Sequence, residues 1–493
     1  MKLLKVSLIV LFSIILVSCS EKDDAPKNIE VQNFVWKGLN AYYLWQDLVP
    51  DLADRRFSND NELYSYLSGY DDPANLFYNL LYMPNEYPKD PNRTYSWIVD
   101  DYIALEEAFA GTRLTSGMKL EGADYANGSG AYYIYVYDVV TGSDADAQGV
   151  TRGMIITEIN GTTITRDNVN DLLDNDTFTI HLADYNGGNP VSNGTTITVT
   201  KSQVTENPVK VTNVITNGSH TIGYLMYNQF SRNFDGELNA EFAKFQSAGL
   251  TDLIIDLRYN GGGSVQTATY LGSMITGQFP GDLFAKQVWN HKVMEVTNPD
   301  LLINNFTDQI LNKDQQGNVV LDEAINSLNL TTIYFIVSGD SASASELVIN
   351  SLKPYIDVKL VGTQTYGKHV GSITLYDSDD YTRNGDNLKS HTWAMQPIVL
   401  EIQNVDGENA PEGFIPEVII DEDPGNLGIL GDPNEPLLQR TIQYITTGAK
   451  GVPTMKKGVQ FSPSWNSNMM RPDYNNMYVE LKYRTKRYKI KSS

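Results

Sequence analysis

The chain has 493 residues, which is too many for one hydrophobic core, so we expect two to four domains. Apolar residues make up 41% and charged residues 20% of the chain, proportions that are ordinary for a folded globular protein. The formal net charge is −23 and the one dense basic cluster is the last stretch of the chain, so we expect no nucleic-acid partner.

The amino terminus has the features of an export signal. A short basic start precedes an apolar run from Val6 to Val17, which is shorter than the span of about 20 residues that crosses a bilayer. The sequence "LVSC" then ends at Cys19, the one cysteine of the chain, and resembles a bacterial lipobox. We therefore predict a signal peptide over residues 1–18 and a lipidated tether over 19–28, in a protein anchored to a membrane of the bacterial cell envelope and facing the periplasm or the cell surface. The alternative is a plain signal peptide with an incidental cysteine.

Residues 29–106 predict a small helical domain. Aromatic residues and leucines recur at helical spacing in "VQNFVWKGLNAYYLWQDLV", "DNELYSYLSGY" and "NLFYNLLY". Prolines separate these stretches, as expected for short helices joined by turns. We expect the tryptophans and tyrosines to form the core of this domain rather than a ligand site.

Residues 107–205 have a β-rich pattern. Here "AYYIYVYDVV" predicts a strand, "DADAQG" a short helix of small residues, and "IITEINGTTI" a strand that meets a turn at Asn160 and Gly161. In this order the stretches resemble a PDZ domain, and a generic β-rich module with a common hairpin is the alternative. The resemblance implies binding of an extended peptide by strand addition, with a loop for its terminal carboxylate near residues 115–122.

Residues 206–440 alternate between strands and helices. "HTIGYLMYNQF" predicts a strand, "DGELNAEFAKFQSAG" an amphipathic helix, and two later stretches each predict a strand, a loop and a helix. Such alternation indicates a layered α/β core whose functional loops follow the carboxyl ends of the strands. The predicted fold is therefore a multidomain α+β chain with helical, PDZ-like and α/β domains in turn. Residues 441–493 are predicted to be a polar tail without an assigned role.

One loop of this core, "DLRYNGGG" at residues 256–263, ends in three glycines. Glycines after a strand let the backbone approach a ligand closely and point N–H groups at it. A phosphate loop is not favoured, because the GxxxxGK[ST] spacing is absent. A plain structural turn stays as the alternative.

A second loop, "VSGDSASASEL" at residues 337–347, follows the apolar stretch "TTIYFIV". Ser343 and Glu346 have the S-x-x-E spacing of a capping box, so we expect a helix to begin here. The start of a helix also presents unpaired N–H groups and partial positive charge, which suit a serine whose attack generates an oxyanion. Helix cap and nucleophile are compatible interpretations of Ser343.

A nucleophilic serine needs a base, and the loop "TYGKHVGS" supplies a lysine. Lys368 lies between glycines after the next predicted strand, and a lysine acts as a base if burial lowers its pKa toward neutrality. His369 is a competing base, but adjacent residues of a strand point to opposite faces. We therefore predict Lys368 as the base.

The sequence predicts no metal site and no cofactor. The stretch "NKDQQGNVVLDE" has EF-hand offsets but too few carboxylates, so we interpret it as a turn in an inserted hairpin. The five histidines show no metal-binding spacing such as HExxH. They are His181, His220, His291, His369 and His391.

The three loops, in this order, resemble those of the carboxyl-terminal processing peptidases, also called tail-specific proteases. The PDZ-like region and the stretch "GFIPEVII" add to the resemblance, which covers roughly residues 106–425. The resemblance implies that Ser343 is the nucleophile and that Lys368, 25 positions later, is the base. It also implies an envelope-anchored branch of the family, because a helical region and a lipoprotein start precede the PDZ-like region.

The family pattern further implies an oxyanion hole, made by the N–H groups of Ala344 and Gly262, with Gly263 as the other possible glycine. One position departs from that pattern. Ser372 stands four residues after the lysine, where the family commonly has a glutamine that orients it. A serine is shorter but still forms hydrogen bonds, so Ser372 is included as a candidate site residue.

The resemblance implies a serine endopeptidase that forms an acyl-enzyme and needs neither metal nor cofactor. Its substrates would be proteins or peptides, engaged near their carboxyl ends through the PDZ-like region. The alternative is a non-catalytic lipoprotein that keeps the fold as a peptide-binding or scaffold module. The missing glutamine supports this alternative, whereas the retained serine, lysine and loop glycines support the enzyme.

Overall fold

The computed structural model describes residues 25–86, 94–451 and 465–479. The predicted signal peptide, Cys19 and the first part of the tether lie outside the described residues. In the described part of the chain, none of the helices has the length and apolar character needed to cross a bilayer.

The first part of the chain is mainly helical, and helices later alternate with strands. In chain order, the α-helices of the described residues are α1 (Glu30–Tyr42), α2 (Asp60–Leu67), α3 (Pro73–Asn79), α4 (Met83–Glu86), α5 (Tyr102–Phe109), α6 (Asp144–Ala147), α7 (Val169–Asp174), α8 (Asp235–Ala248), α9 (Val265–Thr276), α10 (His291–Val296), α11 (Ala344–Leu352) and α12 (Pro436–Thr447).

The strands begin just before the last helix of this first part. In chain order they are β1 (Trp97–Val99), β2 (Thr112–Thr115), β3 (Met118–Asp124), β4 (Tyr132–Val139), β5 (Ile155–Ile159), β6 (Thr162–Thr163), β7 (Thr177–Asp184), β8 (Val191–Thr200), β9 (Ser202–Thr205), β10 (Val209–Asn217), β11 (His220–Tyr227), β12 (Asp252–Asp256), β13 (Gly263–Ser264), β14 (Leu283–Trp289), β15 (Ile303–Asn305), β16 (Gln309–Lys313), β17 (Val319–Ala324), β18 (Thr332–Val337), β19 (Asp357–Gly362), β20 (Val370–Ser372), β21 (Leu375–Tyr376), β22 (Ala394–Gln396), β23 (Ile398–Gln403), β24 (Val418–Ile419) and β25 (Met477–Tyr478).

Side-chain caps start the helices of the amino-terminal region. Asn59, Asp72 and Asp101 each accept a backbone N–H at the start of α2, α3 and α5, which pairs donors that a helix cannot pair internally. The inward face of α1 buries Phe34 and Leu39 in an apolar core that also contains strands and helices of the α/β region. The helical region therefore packs directly against the α/β region.

The β-rich region is an antiparallel sheet with strand order β3-β4-β5-β7-β8, and β6 pairs with β5. Ile134, Ile156 and Ile180 point to one face and form a separate apolar core. Helix α7 packs on that core through Val169 and Leu173. Within this sheet β3 is an edge strand, and residues 465–467 accept the Gly122 and Leu120 N–H groups on its outer side.

The α/β region is built on a sheet with order β10-β11-β12-β18-β19-β24, in which β10 alone is antiparallel to its neighbour. Its strands are apolar on both faces because helices cover both. On β12, Ile255 lies in one core with Val348 of α11, and Ile254 lies in another with Leu438 of α12. The loops after β12, β18 and β19 leave this sheet at the same edge, since these strands are parallel. The predicted multidomain α+β class, with its helical start and α/β core, is confirmed.

A second sheet, with order β13-β25-β20-β23-β14-β15, joins distant parts of the chain. Strand β13 follows the glycine loop and β20 follows the lysine loop. Strand β25 belongs to residues 465–479 and lies between them, although the sequence predicted only a polar tail there. The pairing was not predictable from local pattern, because β25 has two residues and its partners are far away in sequence.

The stretch with EF-hand offsets forms the antiparallel hairpin β16–β17. Within the described ranges, no group of three or more His, Cys, Asp or Glu side chains is placed to hold a metal ion.

Candidate active site

Ser343 lies where the loop after β18 turns into α11. Its backbone angles are φ 65° and ψ −114°, a conformation that strains an L-residue. The residue is 1% exposed, and its hydroxyl oxygen has no hydrogen-bond partner among the described residues. Buried hydroxyls normally have a partner, so an unpaired one at a strained position makes Ser343 a candidate reactive residue.

Glu346 connects this serine to the lysine loop. Its carboxylate accepts the N–H groups of Ser343 and Lys368, at 3.0 and 2.8 Å. It also accepts the Gly367 N–H at 2.7 Å and the Thr365 hydroxyl at 2.6 Å. Burial raises the pKa of Glu346, and these donors oppose the rise. The sequence identified this residue only as a helix cap, whereas the carboxylate fixes the backbones of two loops and leaves the serine hydroxyl outside the cap.

Lys368 faces the same small cleft as Ser343, and His369 also lines it. The lysine is 2% exposed, and its Nζ lies 4.7 Å from the ring centre of Tyr95 in the amino-terminal region. Tyr95 thus places an aromatic ring of the amino-terminal region against the lysine amine. The structure therefore brings the predicted nucleophile and the predicted base to one cleft, together with an aromatic residue that the sequence assigned to a domain core.

Glu86 is a second carboxylate that the sequence did not identify. It is fully buried and accepts hydrogen bonds from the Tyr43 hydroxyl at 2.8 Å and from the Ser96 hydroxyl at 2.6 Å. Burial raises the pKa of Glu86, while these bonds and the positive charge of Lys368 act against the rise. The amino-terminal region thus places a carboxylate within electrostatic reach of the candidate base, a juxtaposition for which the sequence carries no local signal.

His369 is the competing base that the sequence left open. Its Nδ1 is buried without a hydrogen-bond partner among the described residues, and its Nε2 lies 4.0 Å from Glu401 Oε1. Burial lowers the pKa of His369, and the Glu401 charge opposes this effect. A neutral imidazole in the cleft wall is chemically able to accept a proton, so substitution has to separate it from the lysine.

The glycine loop reaches the serine at Gly262. A Cβ atom added to Gly262 would lie 2.7 Å from Ser343 Cβ and 2.9 Å from Ala344 N, and the φ of +110° also favours glycine. Ala344 is the first residue of α11, so its N–H has no carbonyl partner inside the helix. The Gly262 N–H, by contrast, donates to Asn260 Oδ1 at 2.9 Å. Ala344 is therefore ready to donate to an oxyanion, whereas Gly262 would first have to leave Asn260.

Gly263, the other candidate glycine, pairs with Met477 of β25. A Cβ atom there would lie 2.2 Å from Phe230 O, and the φ is +134°. The close approach of the Phe230 backbone and the positive φ are sufficient to require a glycine at position 263, so no ligand contact is needed to explain it.

The Ser372 side chain points toward β22 and the chain before β25. Its hydroxyl donates to Gln396 Oε1 at 2.7 Å, and it lies 3.0 Å from Asn476 Oδ1 and 3.2 Å from Met477 O. None of these partners is Lys368. The role of Ser372 in orienting the lysine stays a prediction, and any such effect would be transmitted through neighbouring groups.

A buried ionic network supports the start of the glycine loop. Arg258 is fully buried and pairs with Asp256 at 2.7 Å, with Glu435 at 2.7 Å and with Glu422 at 2.9 Å. Glu422 also pairs with Arg152 of the β-rich region. Burial alone would raise the pKa of Glu422, but the two arginines outweigh burial and lower it to about 2. The network therefore ties the β-rich region to the strand that carries the glycine loop.

Two family models match the chain. The model of "Peptidase family S41" matches residues 221–388, which include the glycine, serine and lysine loops. The model of the "Peptidase S41 N-terminal domain" matches residues 30–97, the helical start.

Curated relatives and a solved structure agree with these matches. A C-terminal processing peptidase from the chloroplast of Tetradesmus obliquus is 24% identical over 348 residues, which are 68% of this chain and 63% of that protein. A probable CtpA-like serine protease from Staphylococcus epidermidis is 25% identical over 158 residues, which are 32% of this chain and 27% of that protein. The chain thus spans less than two thirds of the length of these relatives.

A crystal structure of a protein assigned as an S41 protease, from Bacteroides fragilis, has the same fold. The TM-score is 0.62 at 23% identity, and the match covers 84% of this chain and 97% of that chain. Residues 221–388 therefore match a peptidase family S41 domain and residues 30–97 match the S41 N-terminal domain, and the chain shares the fold of the Bacteroides fragilis protein.

Proposed function

We propose that the protein is a serine endopeptidase in which Ser343 is the nucleophile and Lys368 is the general base. The observation that carries the proposal is the shared cleft, which is lined by a strained, buried serine and a buried lysine. The Ala344 N–H beside the serine supplies a donor for the negative charge that develops during attack. The relatives described as a processing peptidase and a serine protease support the same reaction.

The proposed reaction begins with proton transfer from the serine. Neutral Lys368 accepts the hydroxyl proton of Ser343 while Oγ attacks the carbonyl carbon of the peptide bond. The carbonyl oxygen becomes an oxyanion, which the Ala344 N–H stabilises together with the Gly262 N–H once the latter leaves Asn260. The lysine ammonium then protonates the leaving amine, and the C–N bond breaks to leave an ester on Ser343.

Water completes the cycle. Lys368, again neutral, takes a proton from water as the water oxygen attacks the ester carbonyl. Collapse of the tetrahedral intermediate breaks the bond to Ser343, which regains its proton from the lysine, and the new carboxyl end leaves. The scheme needs no metal or cofactor. Glu346 acts as a positioning residue, because it holds the backbone N–H groups of both the nucleophile and the base.

We further propose that substrates are proteins or peptides engaged near their carboxyl ends. The support is the β-rich region, whose edge strand β3 begins inside residues 115–122, the stretch to which the PDZ resemblance assigns the carboxylate loop. An edge strand beside a helix is the arrangement by which PDZ domains add an extended peptide. Helix α7 lies on the core under this sheet.

The proposed location is a membrane of the bacterial cell envelope, through a lipid on Cys19. The support is the sequence alone, in which a short apolar run ends in the lipobox-like "LVSC". A mass measurement of the mature chain tests this proposal, because Cys19→Ala should remove both the lipid mass and the membrane association.

A peptide-binding protein without catalysis is the rival function. One specific observation favours it: the residue at the family glutamine position, Ser372, bonds to Gln396 and the chain before β25 and not to the lysine.

The deciding experiment is acyl-enzyme formation and turnover. Wild-type chain should be labelled by a fluorophosphonate and should cleave a casein-like substrate, and Ser343→Ala should lose both. Ser351→Ala is the matched control, because Ser351 is also buried on α11 and its hydroxyl also lacks a partner among the described residues. Labelling that survives in Ser343→Ala contradicts the proposed nucleophile. A folded wild-type chain that binds peptides but neither labels nor cleaves supports the rival.

A further inference from the structure

Residues 465–479, here called the C-terminal segment, cross from the β-rich region to the candidate active site. The segment begins beside β3 and ends in β25, between the strands that follow the glycine loop and the lysine loop. It therefore touches both surfaces that the proposed function assigns to substrate.

At its start the segment extends the sheet of the β-rich region. The Gly122 N–H donates to Trp465 O at 2.9 Å, and Glu121 and Asn466 form an antiparallel bridge. These contacts lie on the edge of β3 that β4 leaves unpaired. This is strand addition, the mode by which PDZ domains take a peptide, and here the added strand comes from the same chain.

The Trp465 side chain contacts α7. Its ring packs against the apolar core of the β-rich region, and its Nε1 donates to Asn170 Oδ1 on α7 at 2.9 Å. The segment thus contacts β3 through its backbone and α7 through its side chain.

At its end the segment passes beside the nucleophile. A Cβ atom on Gly262 would lie 2.8 Å from Asn476 O and 2.7 Å from Ser343 Cβ, so the Asn476 carbonyl and the serine approach the same point. Strand β25 pairs in parallel with β13 and β20, and the Val479 N–H donates to Ser372 O at 3.1 Å. A substrate strand laid between these two loops would need the positions that β25 occupies.

Polar contacts hold the middle of the segment. Asp340, three residues before the nucleophile, accepts from Asn466 Nδ2 at 2.8 Å and from the Tyr474 hydroxyl at 3.1 Å. Asp473 pairs with Arg113, which lies on β2 next to the β-rich sheet. The segment is therefore fixed at both ends and in between.

The candidate nucleophile and base are both buried while the segment is in place. Ser343 is 1% exposed and Lys368 is 2% exposed, and Asn476 and Met477 are themselves buried. A peptide bond cannot reach the serine unless some covering element moves. The C-terminal segment pairs as a strand at both of its ends, at Asn466 and in β25, with the 3-10 helix Ser467–Met470 and a turn between them.

We propose that the C-terminal segment is an intramolecular occupant of the peptide track, which keeps the site closed until an extended substrate chain displaces it from β3 and from its position beside Gly262. The displacing partner is an unfolded or extended polypeptide able to add as a strand on β3 and to contact α7. The effect on activity rests on the proposed peptidase function, whereas the competition for binding does not.

The direction of the segment explains why it is not a substrate. A substrate anchored on β3 by its carboxyl end enters the cleft with residues that precede the anchor. The C-terminal segment reaches Gly262 with residues that lie after its contact on β3. The two chains cross the nucleophile in opposite directions, so the segment presents its carbonyl groups in reversed order and is not cut.

The first test removes the segment. A chain that ends at residue 464 should cleave a casein-like substrate with a kcat/KM at least tenfold above that of the full chain. A chain that ends at residue 479 is the matched control and should behave like the full chain, because it keeps the segment and lacks only residues 480–493. A folded 464-residue chain with unchanged activity would overturn the proposal.

A milder variant decides the question if that deletion unfolds the protein. Trp465→Ala weakens the contact on β3 and α7 and should raise kcat/KM about threefold or more in a chain that stays folded at the assay temperature. Met470→Ala is the control, because Met470 lies in the same segment and is 41% exposed. Trp465→Ala with activity equal to that of Met470→Ala would contradict the inference.

A binding measurement separates this inference from the proposed function. A labelled synthetic peptide of residues 465–479 should bind the chain that ends at 464 and should bind the chain that ends at 479 at least tenfold more weakly. If the peptide binds in this way but no chain cleaves or labels, the peptidase proposal fails and the occupancy stands. If the chains cleave but the peptide binds neither and the deletion changes nothing, the occupancy fails and the peptidase proposal stands.

Discussion

Two buried carboxylates near the candidate site, Glu346 and Glu422, have opposite surroundings. Glu346 accepts three backbone N–H groups and one hydroxyl, and burial raises its pKa. Glu422 faces two arginines, which lower its pKa to about 2 against the effect of burial. The neutral donors at Glu346 oppose the effect of burial without outweighing it, whereas the arginines at Glu422 outweigh it. We infer that the Glu346 centre positions reacting groups and that the Glu422 centre holds regions of the fold together.

The largest expected effect comes from the two groups that Glu346 positions. Ser343→Ala and Lys368→Ala should each lower kcat by about 10⁴-fold or more, and the double variant should be little worse, because the two act as one unit. Single-turnover assays with circular dichroism as a folding control provide the measurement. His369→Ala should keep most of the activity. If His369→Ala lost activity while Lys368→Ala kept it, the histidine would be the base.

Glu422→Gln should lower stability rather than the activity of the folded protein. A shift of the pKa from its ordinary value near 4.5 to about 2 corresponds to about 3 kcal/mol of unfolding free energy. Because the folded-state pKa is depressed, this contribution is present above about pH 4.5 and is lost as the pH falls toward 2. Urea unfolding at several pH values should therefore show a difference from wild type that is full at pH 7 and shrinks below pH 4.5. A constant difference across this range would contradict the ionic role.

Glu346→Gln should lower the activity of the folded protein more than its stability. The amide keeps the volume but has one acceptor oxygen in place of two, so the backbones of Ser343 and Lys368 are held less accurately. Misplacement of reacting groups by about 1 Å can cost roughly 100-fold in rate, so we expect a loss of about that size with a smaller change in stability than that of Glu422→Gln. If Glu346→Gln and Glu422→Gln lost the same amount of activity, the inferred difference between a positioning role and a structural role would be contradicted.

The smallest expected effect is that of Ser372. Its hydroxyl bonds to Gln396 and not to Lys368, so Ser372→Ala should remove one neutral hydrogen bond, worth about 0.5–1.5 kcal/mol, and should lower kcat no more than about tenfold. Ser372→Gln restores the family residue and should raise kcat if the buried position has room. A pH–rate profile of the three proteins is the measurement, and a loss as large as that of Lys368→Ala would contradict the peripheral role.

The loops of the site were predictable because each comes after a strand with a strong local pattern. The stretches "DLRYNGGG", "SASASE" and "TYGK" lie in short windows of sequence, and parallel strands bring their ends to one edge. The contributions of Glu86 and Tyr95 were not predictable, because they come from another region and reach the lysine only in the folded molecule.

The hydrogen bond from the Gly262 N–H to Asn260 could not be predicted from the sequence pattern either, because it depends on the position of one side chain. The C-terminal segment is a further case. Its strand has two residues, and a strand that short has no periodicity from which it could be identified. The sequence suggested a polar tail, and only the long-range pairing with β13 and β20 shows where the segment lies.

The outer edge of β3 has a consequence for how the protein behaves in a crowded solution. An open strand edge is a template for pairing with the same edge of another copy, and this is a common route to aggregation. While residues 465–467 lie along β3, its edge is covered over part of its length. Release of the segment would expose unpaired backbone N–H and C=O groups on β3. A chain whose segment is released and that has not bound a substrate should therefore self-associate as the protein concentration rises.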